Sequence, residues 1–145
     1  MLNFQIKGTP RPQPRPRFTC RGKIARPYTP KDAPILPWRK ALADQMNPPA
    51  TPLMGAYMVS LEFLLPRPVS HLTTKGALRK GAPLQPTRQS DGDLDNLAKP
   101  VLDVMTDQGY WLDDSQVTEL NVTKAFADPN QEPGVHVCVW VNTDL

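Results

Sequence analysis

The stretch Gly92–Val117 reads GDLDNLAKPVLDVMTDQGYWLDDSQV. With the preceding Asp91 it carries Asp91, Asp93, Asp95, Asp103, Asp107, Asp113 and Asp114, and a single lysine, Lys99. These seven are half of the 14 acidic residues in a chain whose net charge is +3. Carboxylates so closely spaced either hold divalent cations or solvate a helix and the loops around it. A calcium-binding EF-hand loop takes acids at its first, third and fifth places, glycine at the sixth and glutamate at the twelfth. Counted from Asp91 the acids fit, but Asn96 and Leu102 occupy the last two places, so that reading fails. Mg²⁺ keeps several waters and needs only a few carboxylates, which separate segments can supply. Asp93 and Asp95 could share an ion with Asp113 and Asp114 if the chain folds back on itself. Acids at a helix start also suit the helix dipole, which is a purely structural role for the first two. Lys99 stands four residues from both Asp95 and Asp103. An exposed ion pair there contributes roughly 0.3–0.5 kcal/mol. The same ammonium, aimed at a phosphoryl group, would stabilise charge in a transition state. Spacing alone leaves both roles open.

The acidic segment lies between basic ones. Residues 1–40 carry ten basic side chains against Asp32 alone, and residues 66–90 carry Arg67, Lys75, Arg79, Lys80 and Arg88 with no acid. Such a pattern suits solvated loops. It also suits a polyanion gripped by basic arms, with metal ions held against it at the acidic centre.

The elements that must position these groups belong to one domain, since 145 residues suffice for one ordinary core. The 18 prolines are more than double the average share of about 5% and favour stiff, irregular connections. No apolar run approaches the ~20 residues of a membrane span. The start, MLNFQIKGTPRP, lacks the charged-then-apolar order of a secretory signal. Cys20 and Cys138 lack metal-type spacing and read as reduced thiols, so a cytoplasmic setting is expected.

LNFQIKG alternates as a first strand, and AYMVSLEFLLP is the clearest strand, with Tyr57, Val59, Leu61, Phe63 and Leu65 on one face. The arm at residues 9–30 is too proline-rich for a helix or a central strand and is expected to run over the surface as an extended loop. PWRKALADQMN reads as a short helix with Pro37 in its first turn. Residues 66–92 form a long polar loop. Leu97, Val101, Val104, Met105 and Gln108 recur at helical spacing, and Gly109 suits the stop. Pro100 would cost a helix interior about 3 kcal/mol, so the regular helix is expected to begin near Lys99, with an irregular turn at LDN. QVTELNVTKAF and GVHVCVWVN read as strands, and ADPNQEPG between them predicts a hairpin. His71, His136, Trp111, Trp140 and Asp107 are expected to pack or to be solvated. Phe18, among arginines, is expected to anchor its loop rather than stack on a base.

The run DLDNLAKPVLDVMTDQGYWLDDSQVTELNVTK resembles the signature of the RusA family of Holliday-junction resolvases. The shared pattern is an acid, x, Asp-Asn-Leu and a nearby Lys-like position, then a central Asp, a Gly near the helix end, Asp-Asp-x-Gln-Val and a later Lys. RPRFT followed by YTP is similar to the Pro- and Arg-rich entry of one branch of the family. The resemblance implies an α+β fold, with a small mostly antiparallel or mixed sheet packed with two helices. It implies a homodimer that cuts four-way or other branched DNA by paired nicks with Mg²⁺. It places metal-binding carboxylates at Asp93, Asp95 and Asp114 and a catalytic lysine at Lys99. Asp103, Asp113, Gln116 and Lys124 match further family positions and are candidates for supporting the site. Some relatives carry arginines just before the first acid. Here PTRQSDG offers only Arg88, so DNA contacts are expected from Lys75, Arg79 and Lys80, or from Arg15, Arg17 and Arg21 on the arm. The competing reading is a non-catalytic branched-DNA-binding module whose acids are structural.

Overall fold

The computed structural model describes residues 1–14 and 17–142. Among the described residues six strands and two helices follow one another. They are β1 (Leu2–Lys7), β2 (Arg17–Arg21), β3 (Ile24–Tyr28), α1 (Ile35–Gln45), β4 (Tyr57–Leu65), α2 (Leu94–Gln108), β5 (Val117–Phe126) and β6 (Gly134–Val141). Four strands form a mixed sheet in the order β1-β6-β4-β5, and β2 pairs with β3 in a separate ribbon. The fold is α+β, as expected.

The core follows from strand alternation. Tyr57, Val59, Leu61, Phe63 and Leu65 of β4 are buried, as are Val135, Val137 and Val139 of β6 and Ile6 of β1. They meet Ile35, Trp38 and Leu42 of α1 and Leu97, Ala98, Val101, Val104 and Met105 of α2 in one cluster. Fully burying each large side chain contributes roughly 1.5–3 kcal/mol, so the helices cannot leave the sheet cheaply.

Three expectations are corrected. First, β5 and β6 do not form a hairpin. ADPNQEPG does turn, with the Asp128 carbonyl accepting from the Gln131 amide at 2.8 Å, but β4 lies between the two strands. It pairs antiparallel with β6 and parallel with β5. Apolar content ranks the strands: β4 is the most continuously buried and takes a central place, while the polar Thr118, Glu119, Asn121 and Thr123 suit β5 to an edge. Parallel neighbours need a long crossover. Here it comprises residues 66–116, so the basic loop and the acidic helix are the connection itself.

Second, the arm is not simply extended. Once past Pro16, RFTCRGKIARPY has one proline, and it closes into a β2–β3 hairpin in register from Arg17↔Tyr28 to Arg21↔Ile24. Gly22 at φ 65° opens its two-residue turn, the place where such turns favour glycine. Third, α2 begins at Leu94, and Pro100 lies inside it, buried. Proline removes the helical donor to Asn96, and the backbone amide of Gln13 replaces it at 2.7 Å. An interior proline is therefore accommodated by a partner outside the helix. Gly109, at φ 90°, ends α2 in the left-handed conformation. Residues 66–92 stay largely irregular, with short 3₁₀ turns at Val69–His71 and Gln89–Asp91.

Candidate active site

Asp93 occupies the N-cap position of α2 with extended backbone (φ −78°, ψ 151°), yet its side chain makes no capping bond. An N-cap aspartate ordinarily accepts from the second or third amide of its helix. Asp95 follows in the first turn, and both carboxylates are exposed. Among the described residues neither pairs with a cation or accepts a hydrogen bond from another group. Asp91, one turn earlier, is different. Its carboxylate accepts from the Arg88 backbone amide at 3.0 Å and from the guanidinium at 3.1 and 3.4 Å. Partial burial pushes its pKa up, but the Arg88 contacts outweigh this and hold it below the usual carboxylate value.

Lys99 lies one turn past Asp95 and donates to Asp103 Oδ1 at 3.0 Å. The Asp103 hydrogen bond and charge raise its pKa, and Asp114 adds to the effect. The ammonium is therefore fixed as a cation, and the turn beyond α2 returns Asp114 to within its field. That turn is the 3₁₀ segment Asp114–Gln116. Asp113 caps it, accepting from the Ser115 amide at 2.8 Å. Gln116 accepts from the amides of Leu112 and Asp113 and donates to the carbonyls of Leu53 and Gly55 at 2.9 and 3.0 Å. Asp113 and Gln116 thus build the turn that carries the half-buried Asp114. Lys124, on β5, donates to the Gly92 carbonyl at 2.7 Å and so pins the peptide just before Asp93.

The crossover brings Lys99, Asp103 and Asp114 together and leaves Asp93 and Asp95 at the head of the same helix. Among the described residues, no group of three or more His, Cys, Asp or Glu side chains is gathered closely enough to cage a metal ion. A closed carboxylate cage is therefore absent from this arrangement. Hard oxygen donors that are exposed and uncommitted nonetheless fit an ion such as Mg²⁺, which keeps much of its water shell and takes one or two carboxylates.

The basic candidates divide. Lys75 and Lys80 are exposed and pair with no acid among the described residues. Arg79 is exposed, but its Nε donates to the Leu72 carbonyl at 2.8 Å. Arg88 is committed to Asp91. Arg17 and Arg21 bound β2, and Arg15 lies outside the described residues. Arg26, across from Thr19, and Lys23, in the turn, are exposed. Trp111 packs as expected, buried, with Nε1 donating to Thr106 Oγ1 at 2.7 Å. Sequence reasoning missed Gln13, whose side chain accepts from Arg39 Nη2 at 2.8 Å while its amide caps the Asn96 carbonyl. The only local signal was the proline that left that carbonyl without a donor.

The strand–loop–helix–strand crossover carries paired carboxylates and a lysine at the start of its helix. The family model of endodeoxyribonuclease RusA matches residues 7–139. The chain belongs to the RusA endodeoxyribonuclease family and is an endonuclease. It is 29% identical over 140 residues to the uncharacterized protein YqaN of Bacillus subtilis strain 168, covering 95% of this chain and 94% of that one. It is 53% identical over 32 residues to the crossover junction endodeoxyribonuclease RusA of Escherichia coli K12, a match to 22% of this chain and 27% of that protein. The same figures hold for RusA of Shigella sonnei strain Ss046.

Proposed function

We propose that the protein is a Mg²⁺-dependent endonuclease that resolves four-way DNA junctions by paired, symmetric nicks. One observation carries this reading: among the described residues Asp93 and Asp95 head α2 without a protein partner, while Lys99 is held by Asp103 and Asp114 rides on a turn built by Asp113 and Gln116. Acids serving only to stabilise the helix would be expected to cap it.

In this reading Asp93, Asp95 and Asp114 would supply the carboxylates for Mg²⁺, an ion that takes one or two of them and keeps much of its water shell. Bound there, the ion supplies a Lewis acid and lowers the pKa of a coordinated water. Lys99 leaves Asp103 for the scissile phosphate and offsets the charge that builds on its non-bridging oxygens. Asp103 keeps the ammonium charged and aimed until substrate arrives. Asp113 and Gln116 fix the height of Asp114, and Lys124 fixes that of Asp93. The basic ribbon and the exposed Lys75 and Lys80 hold the DNA backbone, a sequence-independent grip that weakens with salt.

The arm at 9–30, the loop at 66–92 and the segment 93–124 act as parts of one domain. A homodimer would set one site against each of two equivalent strands, matching the near two-fold symmetry of the junction. A cytoplasmic setting is part of this reading, supported by the free thiols of Cys20 and Cys138. No helix among the described residues is long and apolar enough to cross a membrane.

The test is a synthetic four-way junction with and without Mg²⁺. Paired nicks that require the ion support the reading. Binding without any nick would favour a branched-DNA-binding module with structural acids.

A further inference from the structure

Pro100 is an expensive residue for the interior of a helix, and its consequence is specific. It deletes the amide that would bond the Asn96 carbonyl, and its ring pushes that carbonyl aside. Asn96 lies in the first turn of α2, next to Asp95. The displaced carbonyl accepts from the Gln13 amide at 2.7 Å. The Gln13 side chain is bound in turn by Arg39 of α1 at 2.8 Å. Its neighbour Pro12 lies against the turn before Asp93, so close that a Cβ on Gly92 would stand 3.0 Å from Pro12 Cβ. Gly92 is the same residue whose carbonyl Lys124 holds. Residues 12 and 13 are thus docked on α1, on α2 and on the turn that carries the carboxylates. A few residues further on, β2 and β3 form a ribbon outside the main sheet, with Lys23, Ile24, Ala25, Arg26, Pro27 and Tyr28 all exposed.

We infer that Pro100 is a positioning residue. By freeing the Asn96 carbonyl for Gln13, it fixes the root of the basic ribbon against the catalytic turn, so that DNA bound along the ribbon enters at a set distance from Asp93 and Asp95. Asn96 is exposed, so water could satisfy the carbonyl that Pro100 frees, yet a segment of the chain does so instead. The inference rests on the junction-cutting role proposed above, but the docking it invokes can be measured without DNA.

Three variants separate the contributions. Pro100→Ala restores a helical donor to Asn96 and should leave thermal stability equal or higher. Gln13→Pro deletes the docking amide at a position that already precedes Pro14, whose neighbour favours extended backbone that proline accepts. Gln13→Ala keeps the amide and removes only the Arg39 contact. Exchange of the Gln13 amide, read by NMR, should become at least about tenfold faster in Pro100→Ala, as for a hydrogen bond exposed by local opening. Junction affinity, measured in Ca²⁺, should fall about 5–20-fold in Pro100→Ala and Gln13→Pro and clearly less in Gln13→Ala, with the saturating single-turnover rate within about twofold, the signature of a binding rather than a chemical defect. Unchanged Gln13 protection in Pro100→Ala would overturn the docking. Faster exchange with unaltered affinity would overturn the positioning role. If the wild-type protein neither binds nor nicks a junction, the proposed function fails, and the exchange experiment still decides whether Pro100 docks the arm.

Discussion

The two ends of α2 carry similar acids and treat them oppositely. At its head, Asp93 stands where a capping aspartate belongs and caps nothing, and Asp95 beside it pairs with no group among the described residues. Past its tail, Asp113 caps the next turn and Gln116 makes four hydrogen bonds around it. Residue type does not distinguish the two groups; bonding does. Acids that the fold uses are consumed by the fold, and those it leaves unpaired, on a rigid element, are available to a ligand. The same test separates the arginines and lysines, for Arg88 is consumed by Asp91 whereas Lys75 and Lys80 pair with no acid among the described residues.

The sharpest way to break this comparison is Asp95→Asn. If the head of the helix holds metal, cleavage of a synthetic junction in Mg²⁺ should become undetectable, while junction binding in Ca²⁺ stays equal or tightens, because one negative charge near phosphates is gone. Thermal stability should fall only slightly, since no hydrogen-bond partner among the described residues is lost and the helix-dipole contribution that goes with the charge is about 0.3–1 kcal/mol. Nicking at a near-normal rate in saturating Mg²⁺ would show that Asp95 is as structural as Asp113.

Lys99 should give the next largest effect. Its pKa is raised mainly by Asp103, so it is a cation across the neutral range, and its ion-pair stabilisation is complete below the ordinary lysine pKa and lost only as pH rises through the higher folded value. Lys99→Ala should reduce single-turnover cleavage by roughly 10²–10³-fold, the range for one lost electrostatic stabiliser. Junction affinity should change by less than about tenfold, or 1.4 kcal/mol. Lys99→Arg should rescue poorly, because a planar fork does not replace a compact point charge. Equal losses of rate and affinity in the alanine variant would make Lys99 a docking residue instead.

Gln116→Ala sharpens the contrast from the other end. It removes four hydrogen bonds around the Asp114 turn, three of them exposed, so water can replace those and the part-buried bond to the Leu53 carbonyl carries the cost, about 0.5–1.5 kcal/mol. Chemical denaturation should show a loss of at least that order, with junction binding retained below the transition. Stability equal to wild type would mean that water replaces the glutamine and that the turn does not depend on it.

Much of this was legible in the sequence, and the failures have a common cause. β4 announced itself by strict alternation, α2 by the spacing of Leu97, Val101, Val104 and Met105, and the acids by their density. Strand order was not legible, because β5 and β6 were judged by the turn residues between them, whereas their places depend on competition with β4 for the core. The start of α2 was misplaced for the same reason. Proline rules consider the helix alone, and the donor that satisfies Asn96 comes from Gln13 on a distant segment. The β2–β3 hairpin was hidden by the prolines flanking it, although its GK turn and β-branched Thr19 and Ile24 were present. The carboxylates could be read as candidates, but that Asp93 caps nothing is a fact of geometry and has no trace in the chain.

The smallest expected effect tests whether a consumed charge is withdrawn from DNA. Junction affinity should fall steeply with salt, each phosphate contact adding about 0.9 to the slope of log K against log salt. Replacing Lys75 and Lys80 by Gln should lower that slope if this loop grips the backbone; replacing Lys23 and Arg26 tests the ribbon in the same way. Arg88→Gln should leave the slope unchanged, because its guanidinium is already held by Asp91. Its effect should fall on stability and depend on pH in a defined sense. Asp91 has a folded pKa below its unfolded one despite the opposing effect of burial, so its stabilising contribution is present at neutral pH and lost as pH falls through the folded value. Melting temperatures of wild type and Arg88→Gln should therefore differ at pH 7 and converge as the pH drops below about 4, the ordinary range for aspartate. The difference will be modest, because the Arg88 backbone amide still reaches Asp91 in the variant. A reduced salt slope with no pH-dependent change in melting would place Arg88 on the DNA and end the argument that its charge is spent within the fold.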